Sequence, residues 1–178
     1  KIKTLTFHPE KISVLSTGNF TYVLMLELTD GTSTINEKNK YIIVKPTVYQ
    51  PAFSLSESGF KLPFTITEGV TEYIYELPVT LNTALTEDIT CDVTVKKELL
   101  DEYNATSPIE YSLISDKGNN YTIGKLTFSK GNVTANLTVK IDITTLEGNF
   151  ALPLEITSTK YAFSGENTVI IGLQNSAP

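Results

Sequence analysis

The chain has 178 residues, enough to bury a sizeable core as one large or two small domains. Its formal charge of −6 disfavours a nucleic-acid partner, because phosphate binding requires clustered cations. All 14 basic residues are lysines, so the side chain best shaped for bidentate capture of phosphate or carboxylate is missing, and the absence of tryptophan removes the strongest sugar-stacking platform.

From the N-terminus, strands are expected near 20–29 and 40–45, and this stretch is written twice in the chain. Glu27-Leu28-Thr29, nine residues of polar loop and Asn39-Lys40-Tyr41-Ile42-Ile43 return at an offset of 128. The second copy is Glu155-Ile156-Thr157, nine residues, then Asn167-Thr168-Val169-Ile170-Ile171. Gly18-Asn19-Phe20 recurs as Gly148-Asn149-Phe150, and Leu5-Thr6-Phe7 as Leu126-Thr127-Phe128. Matching strand ends around a matching loop mark a tandem module. The expected organisation is therefore the final strands of a first repeat over 1–45 and a linker over 46–52 stiffened by Pro46 and Pro51. A complete module over 53–173 and a tail over 174–178 follow. The chain opens in mid-repeat, so its natural N-terminus is expected upstream of Lys1. The apolar face of Tyr22, Leu24, Leu26 and Leu28 then needs a cover. That cover is a missing upstream half, the second module, or a neighbouring chain joined by strand donation.

Within the complete module, period-two alternation dominates. A strand is expected near 62–66. Tyr73, Tyr75, Leu77, Val79 and Leu81 then alternate with Glu72, Ile74, Glu76, Pro78 and Thr80. Pro78 cannot donate to a ladder and predicts an edge strand or a bulge. Cys91, the only cysteine, falls among the odd, apolar positions of residues 89–95 and reads as a small buried hydrophobe. Residues 96–104 break the pattern: Leu99 and Tyr103 are four apart among good helix formers, with Asn104 at the capping position. This predicts a short helix whose Leu99, Leu100 and Tyr103 close one end of a sandwich. Strands follow near 109–114 and 122–129, and then over Val133, Ala135, Leu137, Val139 and Ile141. Leu152, Leu154 and Ile156 alternate with Pro153 and Glu155, and a last strand is expected near 168–173. Short strands at this spacing, with 26 threonines, predict an all-β, immunoglobulin-like antiparallel β-sandwich with one connecting helix.

Motifs for chemistry are sparse. His8 is the lone histidine and reads as a turn residue beside Pro9, and no nucleophile elbow, zinc helix, phosphate loop or C-x-x-C occurs. Glu87-Asp88 and Asp101-Glu102 are adjacent carboxylates. Neighbours in sequence point apart on a strand or helix, so neither pair reads as a glycosidase dyad. No spaced run of oxygen ligands suits calcium. Catalytic, metal and cofactor sites are all expected to be absent. Five N-x-T sequons, at Asn19, Asn104, Asn120, Asn132 and Asn136, are expected by chance in so threonine-rich a chain.

The candidate ligand contacts are aromatic. Tyr161 and Phe163 lie in the loop of the second strand pair, whose counterpart at 30–38 has no aromatic, and Tyr121 follows Gly118-Asn119-Asn120. Such rings stack on sugar faces, with Asn, Asp and Lys supplying polar contacts. The competing reading is that they fold back over an open end of the sandwich.

Residues 77–81 (LPVTL), 88–95 (DITCDVTV), 99–104 (LLDEYN), 121–123 (YTI) and 126–131 (LTFSKG) form an ordered set. Residues 139–142 (VKID), 150–156 (FALPLEI) and 169–171 (VII) complete it. This set resembles a domain of unknown function from surface lipoproteins of Bacteroides-type bacteria. The same domain type precedes the catalytic domain in some family-18 endo-β-N-acetylglucosaminidases. The first 45 residues match only that family's final strands. The resemblance implies a non-enzymatic, cell-surface, carbohydrate-associated module of a polysaccharide-uptake lipoprotein, binding glycan or acting as a spacer. It implies an outer-membrane location on the extracellular face through a lipid anchor outside this chain. Its partners would be a polysaccharide or glycoprotein glycan and an outer-membrane glycan transporter complex. Two alternatives stand beside it: a structural surface or pilus-type subunit assembling by strand exchange, and the accessory domain of a longer glycosidase.

Overall fold

The computed structural model describes residues 23–29, 36, 38, 40–44, 51–114 and 120–175. His8, Asn19, Tyr22, the Leu5–Phe7 repeat element and positions 46–50 of the expected linker lie outside the described residues. The chain divides into two compact units, Lys1–Gln50 and Pro51–Pro178.

In the first unit, β1 (Leu24–Glu27) pairs antiparallel with β2 (Tyr41–Val44), Leu24 opposite Val44 and Glu27 opposite Tyr41. Lys40 reaches Glu27 at 3.1 Å and lies over the Tyr41 ring. Met25 and Ile43 are 63% and 61% exposed, so this hairpin keeps large apolar side chains in solvent.

The second unit is a sandwich of two sheets. The smaller sheet has the order β3 (Phe53–Leu55), β5 (Glu72–Leu81), β10 (Thr134–Asp142), β8 (Tyr121–Ile123). The larger runs β4 (Gly59–Ile66), β12 (Thr168–Asn175), β11 (Phe150–Thr157), β6 (Ile89–Val95), β9 (Leu126–Phe128), with β7 (Ser112–Leu113) beside β11. Pairing is antiparallel except for β4 with β12 and β7 with β11, which are parallel. Leu77, Val79, Leu137 and Val139 of one sheet meet Leu152, Leu154, Ile156 and Ile171 of the other in a solvent-free core. The period-two patterning dictates this arrangement, because only one parity of each strand is apolar enough to leave water.

The prolines occupy gaps in the ladders. Pro78 accepts a hydrogen bond from Ser56 N on the side where β3 has ended after Leu55, so β5 is locally an edge. Pro153 lies in a central strand. Its carbonyl accepts from Lys96 N at the point where β6 has ended and β7 has yet to begin along β11. In both places the missing N–H faces no partner strand.

The helix α1 (Lys97–Asn104) forms where expected but does not close an end of the sandwich. It covers the outer face of the larger sheet, where Leu100 and Tyr111 pack on Ala151 and Ile170. Strands β11 and β12 are therefore buried on both faces. The expected single strand near 122–129 is two strands in different sheets. Gly124 allows the switch: its N–H donates to Thr138 O at 2.8 Å, and a Cβ there would sit 3.0 Å from that oxygen. Cys91 is buried, as its alternation demands.

Candidate functional site

The loop between β11 and β12 is closed at its base by reciprocal bonds: Ile156 N donates to Asn167 O, and Asn167 Nδ2 donates to Ile156 O. Its middle lies as a short parallel bridge beside Phe53, which donates to Ala162 O and accepts from Ser164 N. Lys160 forms an ion pair with Glu87. This anchoring brings Tyr161 and Phe163 onto the fully buried Phe53, with ring centroids at 6.2 and 5.5 Å, and Phe53 in turn meets Phe128 at 5.0 Å.

Tyr161 and Phe163 are thus half-buried. One part of each ring packs on the sandwich end, and the rest lines an open recess of about 300 Å³ together with Thr157, Ser158, Gly165 and Asn167. The packing of these rings on Phe53 is part of the fold, and the surface they leave uncovered faces the recess. The polar liners escaped the sequence reading. Asn167 carried one signal, since the repeat retains Asn39 at the same place, whereas Thr157 and Ser158 are lost in the threonine-rich background.

Tyr121 is not brought to this recess. It opens β8 opposite Ile141, so it packs inward against the core at the Asp142 end of β10. Phe53 pairs with Leu81, next to the opposite end of that ladder. The length of β5 from Tyr73 to Leu81 separates the two sites by roughly 26 Å at about 3.3 Å per residue. Tyr121 is therefore a strand residue and not a loop aromatic. Preceding it, Asn120 is a buried polar residue whose amide donates to Asp142 O and Thr145 Oγ1. A wider recess of about 560 Å³ lies at that far end between residues 66–71 and Ile143–Thr144, and no aromatic ring lines it.

The adjacent carboxylates have structural partners. Glu87 pairs with Lys160, Asp88 Oδ1 accepts from Lys130 N at 2.7 Å, and Asp101 pairs with Lys97 one helical turn away at 2.6 Å. The Cys91 thiol is buried. Burial, then the nearby Asp92, push it up to about 11, opposing nucleophilic use, while a hydrogen bond with Ser158 slightly favours its ionised form. Among the described residues, no three His, Cys, Asp or Glu side chains come together to hold a metal ion, and no helix is long and apolar enough to cross a membrane. The recess offers rings, hydroxyls and an amide, which is equipment for holding a polar ligand with apolar faces.

A family model described as "-like, N-terminal domain" matches residues 38–162, more than half of the chain. The fold is similar to that of a candidate carbohydrate binding protein from Bacteroides ovatus, at 19% identity and TM-score 0.57, covering 72% of this chain and 38% of that one. It is also similar to a two-domain protein of unknown function from Bacteroides fragilis, at 11% identity and TM-score 0.59, covering 71% and 46%. A third likeness is to EndoBT-3987 of Bacteroides thetaiotamicron, solved with a Man5GlcNAc product, at 17% identity and TM-score 0.53, covering 65% and 28%. At these identities the likeness establishes the fold, and the chain spans less than half the length of each structure. No curated protein matches the sequence.

Proposed function

The chain belongs to this family of N-terminal domains, and we propose that it is a non-enzymatic, carbohydrate-associated module of a cell-surface protein. In this reading it binds glycan through the recess beneath the 158–167 loop and holds a neighbouring domain away from the membrane. The location is the extracellular face of the outer membrane, through a lipid anchor outside this chain, beside a glycan transporter complex. The observation that carries the reading is the recess itself: two anchored rings, two hydroxyls and an amide, with no acid–base pair among its lining residues. Fixed aromatic surface with a few polar groups is how small polar ligands are held.

A glycan array tests this, with the purified chain displayed multivalently so that weak binding registers. The expected result is a reproducible class of retained glycans, lost in Gly165→Leu. Position 165 lines the recess, and a Cβ there meets no atom within 4 Å, so the leucine fills the opening without straining the loop. A blank array would leave the spacer role alone.

A second reading is favoured by the exposed apolar side chains of the β1–β2 hairpin: a structural subunit assembling by strand exchange. Concentration-dependent assembly in size-exclusion chromatography is its signature, and a strictly monomeric species counts against it.

A further inference from the structure

Resting on the reading of the recess as a glycan site, we propose that its ligand is an electrically neutral sugar, held one or two rings at a time. Acidic sugars would be excluded. Every residue lining the recess is uncharged. The cation of the same loop, Lys160, is held by Glu87 and is neutralised before any ligand arrives. Glu166 stands at the end of that loop, and the chain as a whole carries −6 with no arginine to engage a carboxylate. A uronic or sialic acid entering here would lose water from its carboxylate, gain no cation and meet a negative field.

The polar atoms present suit hydroxyl groups instead. Thr157 contributes a hydroxyl that donates or accepts, and the Ser158 oxygen, which already accepts from Lys160 N at 3.2 Å and contacts the Cys91 thiol, has capacity for one further bond. Asn167 uses its N–H on Ile156 O at 2.9 Å, and its Oδ1 has no partner among the described residues. Among the described residues no buried side-chain oxygen lacks a partner, so this Oδ1 is reachable by solvent or ligand. Tyr161 and Phe163 supply apolar ring surface for the C–H face of a pyranose. A volume of about 300 Å³ is at the bottom of the range for small-molecule sites, which limits occupancy to a short stretch of glycan.

The test compares matched glycans with and without a terminal uronic or sialic acid, on wild type and on Ala162→Lys. Ala162 is exposed, and its backbone oxygen, not its side chain, makes the bridge to Phe53. Wild type should retain the neutral member of each pair by about tenfold over the acidic one. Ala162→Lys should raise retention of the acidic member severalfold, and salt should remove that gain. Equal or better retention of acidic glycans by wild type overturns the neutral-ligand assignment while leaving glycan binding intact. A neutral preference unmoved by Ala162→Lys places binding elsewhere on the surface and overturns the assignment to this recess. An array blank for both members overturns the glycan reading itself, and this inference falls with it.

Discussion

The ring of Phe60 lies across the backbone of Gly172, so that a methyl group at position 172 would sit 2.5 Å from Phe60 Cζ and 3.1 Å from Lys61 O. Phe60 cannot swing aside freely, because its other neighbours are Tyr103, stacked at 4.2 Å, and the buried Tyr111 at 4.9 Å. The β4–β12 register shifts at this same glycine, between Ile171 and Leu173. The edge strand β4, the helix and the sheet are thus joined through one ring held against a position that admits no side chain.

Gly172→Ala should therefore destabilise the module by about 1–3 kcal/mol through overpacking, lowering the thermal midpoint by roughly 2–12 °C. In a Phe60→Leu background the same change should cost less, and the coupling in a double-mutant cycle should exceed about 0.5 kcal/mol. Additive losses would mean that the contact between 60 and 172 is not what position 172 protects.

Asn104 does different work from the C-terminal cap its position suggests. Ala105 ends the helix, while the Asn104 side chain reaches Tyr111, accepting from its N–H at 3.0 Å and donating to its carbonyl at 2.8 Å. This double bond to the backbone fixes the return of the chain toward β7. Asn104→Ala leaves both groups of Tyr111 without that partner, at a cost of about 1–3 kcal/mol in urea denaturation. Asn132→Ala, another N-x-T position but exposed on a turn, should stay within about 0.5 kcal/mol of wild type. Equal effects at the two positions would remove the structural role given to Asn104.

The half-burial of the loop rings separates two substitutions. Phe163→Ala removes the contact with Phe53 at 5.5 Å and should cost stability whatever the recess binds. About 1–3 kcal/mol is expected, below the full cost of a core phenylalanine. Tyr161→Phe keeps the packing ring and removes only the hydroxyl, so its thermal midpoint should match wild type. Any fall in glycan retention by Tyr161→Phe then reports ligand contact alone. A large stability loss in Tyr161→Phe would show that the hydroxyl holds the loop.

The strands were legible because alternation carries their information: residues 73–81 and 135–141 announce which side chains leave water, and the core contains them. Pairing partners were not legible. Nothing in YTIGKLTF says that the chain changes sheets at Gly124, since that depends on the approach of Thr138 from 14 residues away. The helix was legible by its composition, but its docking was not, because Ala151 and Ile170 read as the outward parity of strands expected to face solvent. The repeat likewise fixed two hairpins without their registers. Glu27 lies opposite Tyr41, whereas Glu155 lies opposite Thr168, one residue away from the equivalent pairing. Of the site, the aromatic loop was visible as a difference between repeats. The glycine–asparagine run before Tyr121 signals a turn but cannot show that the next residue starts a strand.

Cys91 gives the last prediction, through alkaline pH. Its thiol is buried, and burial together with Asp92 raises it from an ordinary 9.0 to about 11, with the Ser158 hydrogen bond opposing. The folded chain therefore holds this proton more firmly than the unfolded chain does. Below about pH 9 both states are protonated and the group contributes its full share of stability. That share is lost as pH rises from about 9 to about 11, with a slope of at most about 1.4 kcal/mol per pH unit. Tyr75, raised by burial and by Glu57, and Tyr111, raised chiefly by burial, add losses that begin at higher pH. Urea midpoints of wild type and Cys91→Ala, compared across this window, isolate the thiol. The variant starts lower because of the lost packing, and the gap should narrow as pH rises. A gap constant with pH would mean that the thiol ionises equally in both states and that burial does not hold its proton.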